Sequence, residues 1–383
     1  MKRILALLGL ASVGFAAFGQ ALPPPEIAAR EYLLIDMSAG QVLAERNADT
    51  PTDPASLTKL MTAYLVFTQL RERKMTLDQK VPVSPRALAE RKAGGSLMFI
   101  DTTMTPTMDE LLQGVVVDSG NDASVALAEA VGGSVEAYVG MMNRQAQAWG
   151  LKNTVFKNVT GLAEAGHRST PRDMTVMAQH IIRDFPEYYH YYAQREYKFN
   201  NLKQENRNLL LKRDPSVDGL TTGFTDAAGY CLLASAQREF PNGKRRLMAI
   251  VMGADSMQGR ANETQKLLNW GFTAFDDVRL AEAGKPIGPP VPVWKGRQAQ
   301  VGLGSADAIY VAVPKGEGEH LKTLVERTDP LVAPLTKGQR VGSLKVTTAA
   351  GSAIATIPLT VLEEVPQAGL FGRAWDAIRL WIK

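Results

Sequence analysis

The chain has 383 residues, 45% of them hydrophobic and 21% charged, and a net charge of +4. That is globular composition at a length suited to two domains, or to one large domain with an appendage. The charge is too mild and too dispersed for a nucleic-acid surface. One cysteine rules out an internal disulfide, and four scattered histidines argue against a zinc site.

The chain begins "MKRILALLGLASVGFAAFGQALPPP". Lys2 and Arg3 precede an apolar run, then small residues and prolines, the pattern of a secretory signal peptide cleaved after Ala21 or Gly19. The run is shorter than the ~20 residues of a membrane span; an uncleaved N-terminal anchor is the alternative. "EYLLIDMSAGQVLAERNAD" alternates about a Ser-Ala-Gly turn and predicts a hairpin of Tyr32 to Met37 and Gln41 to Glu45. Helical patterns follow from Ser56 to about Glu72, from Met108 to Ser119, and from Asp122 to about Trp149, the last broken at Gly132-Gly133. "STPRDMTVMAQHIIRDF" reads as a helix capped by Thr170, with Pro171 in its first position and Asp173 in its first turn. A turn is expected at Asp218-Gly219, strands at "GYCLLASAQR" and "RRLMAIVMGA", and a helix from about Arg260 to Gly271. Cys231 sits in an apolar strand pattern and reads as a buried structural thiol.

Strands, a helical middle and more strands predict an α+β domain over 22–275 with an antiparallel sheet. Past "AEAGKPIGPPVPVWKG" the chain turns into short alternating segments punctuated by Gly and Pro, read as a small β domain over 281–365. Residues 366–383 end in "GLFGRAWDAIRLWIK", with Leu370, Phe371, Trp375, Ile378 and Trp381 at helical spacing and Arg373, Asp376, Arg379 and Lys383 between them. This predicts an amphipathic helix lying in a membrane surface; the alternative is a helix packed on the protein itself.

The chemistry starts at "DPASLTKLMTAYLVF". Ser56 and Lys59 are three residues apart at a helix start and so share a face. Either Ser56 caps the helix and Lys59 is solvated, or an uncharged Lys59 takes the proton of a nucleophilic Ser56. The amine would then need a pKa lowered by burial or by a neighbouring cation. Ser-x-x-Lys alone is weak, since a chain this long carries about one by chance. Two other stretches add to it. Ser119-Gly120-Asn121 sits between two helical patterns and is either a plain helix-joining turn or one that presents a hydroxyl and an amide to a cleft. Thr221-Thr222-Gly223 opens a strand that a peptide can pair with as an added strand.

Together these motifs resemble the low-molecular-mass penicillin-binding proteins that are D-alanyl-D-alanine carboxypeptidases, on the set Ser-x-x-Lys, Ser-x-Asn and Lys-Thr-Gly. "PASLTKLMT", "SGNDASVALAE", "NRNLL", "DGLTTGFTDAAGYCLLASA", "GRANETQKLLNWGF" and "FGRAWD" carry the resemblance along nearly the whole chain. It implies a β-lactamase/transpeptidase-like domain, then an all-β domain and a terminal helix. It also implies a nucleophile at Ser56, a base at Lys59 and a proton relay to the leaving D-alanine at Ser119. Asn121 would bond the substrate amide, and the N–H groups of Ser56 and Phe224 would form the oxyanion hole. Thr222 and Gly223 would pair with the peptide, and Arg207 would help hold its carboxylate. The implied partners are the peptidoglycan stem peptide, β-lactam antibiotics and the outer face of the inner membrane, in the periplasm and with no cofactor.

Position 221 departs from the family. Thr221 replaces a lysine whose charge lies near the substrate carboxylate and helps keep the catalytic lysine neutral. Losing a charge-assisted contact costs roughly 1.5–3 kcal/mol. Lys212, Arg213 or Arg207 could substitute in part. A weakly catalytic or non-catalytic peptidoglycan-binding morphology protein is therefore the alternative. A β-lactamase is the less favoured third reading, because Glu164 lacks the surroundings of a water-activating glutamate.

Overall fold

The computed structural model describes residues 22–241 and 243–382, so the expected signal peptide over 1–21 lies outside the described residues. The first hairpin forms as β1, Glu31–Asp36, and β2, Gln41–Arg46. Ala55–Thr58 then makes a single 3-10 turn that runs straight into α1, Lys59–Arg71. Every residue from Lys59 to Phe67 is buried. α1 is thus a core helix with no solvent stripe, and it carries its lysine inward.

α2, Pro85–Ala93, escapes the sequence reading; it starts where the Ser84 hydroxyl accepts from Ala87 N at 3.0 Å. α3, Met108–Val117, opens on a capping box of Thr107 and Glu110. α4, Asn121–Gly132, and α5, Val135–Ala148, are split at Gly133, whose φ of +76° suits a residue without Cβ. α6, Pro171–Asp184, is capped by Thr170 as expected. A short hairpin, β3 Glu196–Phe199 and β4 Leu202–Glu205, and a one-turn helix, α7 Leu210–Arg213, lead to three strands. These are β5, Val217–Thr225, β6, Gly229–Phe240, and β7, Gly243–Ala254; α8, Met257–Ala274, follows. The expected turn at Asp218-Gly219 is instead part of β5, where the register slips between Val217 and Gly219. The glycine marks a bulge, not a reversal.

The strands form one antiparallel sheet in the order β2-β1-β7-β6-β5. Leu33, Ile35, Leu233 and Ile250 face the helices α1 to α6, while Leu34, Leu232, Ala249 and Val251 face α8. This is the period-2 alternation of a strand, with both faces buried. β5 lies at the edge, and its rim meets the turn that carries Ser56. An added Cβ on Gly223 would fall 2.8 Å from Leu57 Cδ1 and 3.2 Å from Ser56 N, so the two backbones touch only because residue 223 has no side chain.

The second domain starts with β8, Phe275–Ala281, directly after α8. β9, Val291–Trp294, β10, Gln300–Val301, β11, Leu303–Gly304, and β12, Ile309–Pro314, follow, then β13, Lys322–Arg327, and β14, Leu331–Val332. β15, Arg340–Thr347, and β16, Ala353–Val361, complete it before α9, Leu370–Ile382. Short sheets of order β10-β9-β14, β11-β16-β15-β13 and β12-β8 enclose two small cores around Val293 and Leu344. The domains meet at two polar clasps. The Gln41 side chain brackets the Ala312 backbone, accepting from its N–H at 2.7 Å and donating to its carbonyl at 3.2 Å. The fully buried Arg245 donates to Asp36 Oδ2 at 2.7 Å and to the Phe275 carbonyl at 2.8 Å.

Candidate active site

A cleft of about 270 Å³ opens beside the β5 edge, lined by Ser56, Ser119, Asn121, Arg207, Thr222, Gly223 and Phe224 together with neighbours from two loops, β6 and α8. Lys59 lies just behind it, 3% exposed. Its Nζ stands 3.0 Å from Ser56 Oγ, 2.8 Å from Asn121 Oδ1 and 2.6 Å from the Thr160 carbonyl oxygen. Asn121 Oδ1 and the Thr160 oxygen can only accept. A neutral amine has two N–H donors and one lone pair. With both donors taken, the lone pair is left for the Ser56 hydroxyl proton. Ser56 is not a helix cap: the turn starts at Pro54 without a side-chain cap, and Asp53 Oδ1 accepts from Ala55 N at 2.8 Å.

The electrostatics favour that neutral amine. Burial is the main cause that brings Lys59 from its ordinary 10.5 to about 7, against the upward pull of Glu90, Asp118 and Asp122 and with some help from the Arg207 guanidinium. Of the cations expected to stand in for the missing lysine, only Arg207 reaches the cleft. Lys212 pairs with exposed Glu205, and Arg213 bonds Gln258 and Asn262 on the outside of α8. Arg207 is aimed by its neighbours. Asn206 Nδ2 donates to the Gln194 carbonyl at 2.9 Å, and Asn208 Nδ2 to the Gly219 carbonyl at 3.1 Å, pinning the loop on both sides. Its guanidinium sits 3.4 Å from Asp118, a carboxyl that burial raises to about 6.

The Ser119-Gly120-Asn121 turn is held from behind by Asp122. That buried carboxylate accepts from Met98 N at 2.8 Å, Ala123 N at 2.9 Å and Ile100 N at 3.1 Å. Ser119 has a φ of +67°, and its Oγ is buried without a hydrogen-bond partner. A strained non-glycine residue with an unspent hydroxyl on a cleft is typical of functional positions. Asn121 is committed at both ends, to Lys59 and, through Nδ2, to the Gly94 carbonyl at 3.1 Å. Thr221 is buried, opposite Leu233 on β6, and is not among the residues that line the cleft.

Residues 19–256 match the D-alanyl-D-alanine carboxypeptidase family of peptidases, S11, and residues 275–367 match the C-terminal domain of penicillin-binding protein 5. The chain belongs to the D-alanyl-D-alanine carboxypeptidase family. It is 41% identical to the D-alanyl-D-alanine carboxypeptidase DacC of Escherichia coli over 97% of this chain and 92% of that protein. It is 36% identical to DacF of Bacillus subtilis over 96% of each. Penicillin-binding protein 5 of Haemophilus influenzae superposes with a TM-score of 0.83 at 40% identity, over 90% of this chain and all of that one.

Three parts of this carboxypeptidase-family site escape the sequence reading. Arg260, on α8, is buried against the cleft and donates to the Gly223 carbonyl at 3.0 Å. Its motif, "GRANETQ", is visible, but nothing in it says that the helix reaches the cleft. His167 is the second. Its Nδ1 accepts from Lys157 N at 3.0 Å, so Nε2 carries the proton and donates to Thr58 Oγ1 at 2.8 Å, steadying the turn between Ser56 and Lys59. The third is Gly161, whose backbone, at φ +83°, presses on Ala55 and Ser56. Cys231 is buried, and burial pushes its thiol up to about 12, as suits a structural thiol. Glu164 is exposed and accepts from Asn158 Nδ2 at 3.0 Å; it is not among the cleft-lining residues.

Proposed function

We propose that the protein removes the terminal D-alanine of peptidoglycan stem peptides through an acyl-enzyme on Ser56. The observation that carries this is the Lys59 amine, buried, with its two donors occupied and Ser56 Oγ 3.0 Å away. Ser56 Oγ attacks the penultimate carbonyl and passes its proton to Lys59. The N–H groups of Ser56 and Phe224 hold the oxyanion, a term worth about 3–4 kcal/mol per donor in well-formed sites. Ser119 Oγ, free of other bonds, passes a proton to the departing amine. Arg207 and Arg260 receive the terminal carboxylate, so the charge that Thr221 lacks comes from guanidinium groups, Arg260 bonded to the Gly223 carbonyl on the same strand. Asn121 orients Lys59 and meets the substrate amide when its bond to Gly94 opens. Water then releases the acyl group. A β-lactam enters the same sequence and stops at the acyl-enzyme.

The same reading places the protein in the periplasm, exported by the signal peptide over 1–21 and held at the inner membrane by α9. The orientation of α9 supports attachment. Its Asp376 accepts from Lys295 N at 2.6 Å, and Arg379 lies over the Trp294 ring, so the polar side meets the β domain. Phe371, 94% exposed, and Trp381, 88% exposed, point away. Among the described residues no helix is long and apolar enough to cross a membrane.

Thr221 is the observation that favours a second reading, a peptidoglycan-binding protein with little turnover. Purified protein incubated with a pentapeptide ending D-Ala-D-Ala separates the two. Catalytic release of D-alanine supports the first; labelling by fluorescent penicillin with no release supports the second.

A further inference from the structure

The rim of a cleft built for a charged peptide end carries large apolar groups. Phe224 is 48% exposed and Met257 is 42% exposed. Both line the same cleft as Arg260 and Tyr230. The Phe224 and Tyr230 rings pack with centroids 4.4 Å apart, and the Arg260 guanidinium lies 5.7 Å from the centre of the Tyr230 ring. Met257 sits three residues before Arg260 on α8 and so shares its face. The apolar shelf and the buried cation are therefore one surface.

We propose that Phe224, Tyr230 and Met257 receive the side chain of the residue that is released, and that the enzyme accepts terminal D-residues larger than alanine. This rests on the carboxypeptidase reading above. The released residue carries its carboxylate and its side chain on one α-carbon. A carboxylate paired with the Arg260 guanidinium, which is fixed by its bond to the Gly223 carbonyl, brings that α-carbon against Tyr230. The side chain then projects onto whatever surrounds the guanidinium, which here is two aromatic rings and a thioether. Alanine's single methyl covers little of that surface, while a branched or longer aliphatic chain covers more and removes it from water. Methionine adapts its shape to different occupants at low cost. The bonds made and broken are unchanged: the scissile amide acylates Ser56, and only the amine that leaves differs.

The test compares two peptides, identical except that one ends D-Ala-D-Ala and the other D-Ala-D-Leu, by kcat/KM for release of the last residue. The wild type is expected to process the D-Leu peptide within about threefold of the D-Ala peptide. Met257→Ser is expected to lower the D-Leu to D-Ala ratio of kcat/KM about fivefold and is read by that ratio. Phe224→Ala is read only by the same ratio, since the backbone of residue 224 belongs to the oxyanion hole. A wild type that releases D-alanine but leaves D-Leu untouched overturns the inference alone. A ratio that neither variant changes does the same. Release from neither peptide overturns the carboxypeptidase reading, and the inference with it.

Discussion

Gly161→Ala is the sharpest test of how the nucleophile is held. Gly161 has a φ of +83°, and a Cβ added there overlaps the Ala55 carbonyl group and stops 2.9 Å from Ser56 N. Carbon contacts are comfortable from about 3.5 Å, so Ser56 N must retreat by about 0.6 Å and the Ala55 carbonyl by more. Ala55 itself holds a φ of +47°, which leaves this turn no relaxed direction to move. A reacting group displaced by about 1 Å loses roughly 100-fold in rate. The left-handed backbone adds a cost of about 1–2 kcal/mol in stability, a few degrees in melting temperature for a domain of this size. Gly133→Ala is the control: at φ +76° it carries the same strain, but nothing lies within 4 Å of its Cβ. Acylation by a fluorescent penicillin, followed by stopped flow, should fall about 100-fold in Gly161→Ala and stay near wild type in Gly133→Ala, with both melting lower. A folded Gly161→Ala protein that acylates within threefold of wild type would refute the argument that this loop clamps the nucleophile turn.

Other expectations follow from the same structure. Thr221→Lys restores the cation of the family motif, so D-alanine release and penicillin acylation should both rise by about 10- to 100-fold in kcat/KM, and the acid limb of the rate profile should move to lower pH; equal rates would show that Arg207 already replaces the missing charge fully. Arg245→Met leaves the buried Asp36 and Asp277 without their guanidinium and should cost about 3–5 kcal/mol by denaturant unfolding. Burial with Asp36 beside it raises the Asp277 carboxyl to about 6, so the folded state holds that proton below this pH and the penalty should be smaller at pH 5 than at pH 8. Trp375→Ser with Trp381→Ser removes apolar surface from α9 and should weaken sedimentation with anionic lipid vesicles while leaving penicillin acylation unchanged; binding that persists would place attachment elsewhere.

Much of this was legible because the signals are local. The cap at Thr170, the break at Gly133 and the alternation of β6 and β7 each depend on neighbours in sequence. What the sequence hid depends on contacts across the fold. The Asp218-Gly219 signal is a turn by propensity and a strand bulge in place, because β6 pairs along its length. Ser56 and Lys59 could be seen as a pair, but the Lys59 amine is brought down to about 7 chiefly by its burial at the head of a run buried from Lys59 to Phe67, which no three-residue motif reveals. Arg260 reaches the site from a helix across the sheet, 204 positions after Ser56 by their numbers. Thr221 was read as a missing cation facing the substrate, and its side chain proves buried, while Arg207 is the candidate substitute that lies in the cleft.

The central claim is that an uncharged Lys59 takes the proton of Ser56. The rate of covalent penicillin attachment, measured by intact mass across about pH 5 to 9, tests it most directly. Because the neutral amine is the working form, the rate should climb with pH and reach half its plateau near the Lys59 value of about 7, and Ser56→Ala should gain no mass at any pH. A rate flat across that range, or an adduct that survives in Ser56→Ala, would contradict the account.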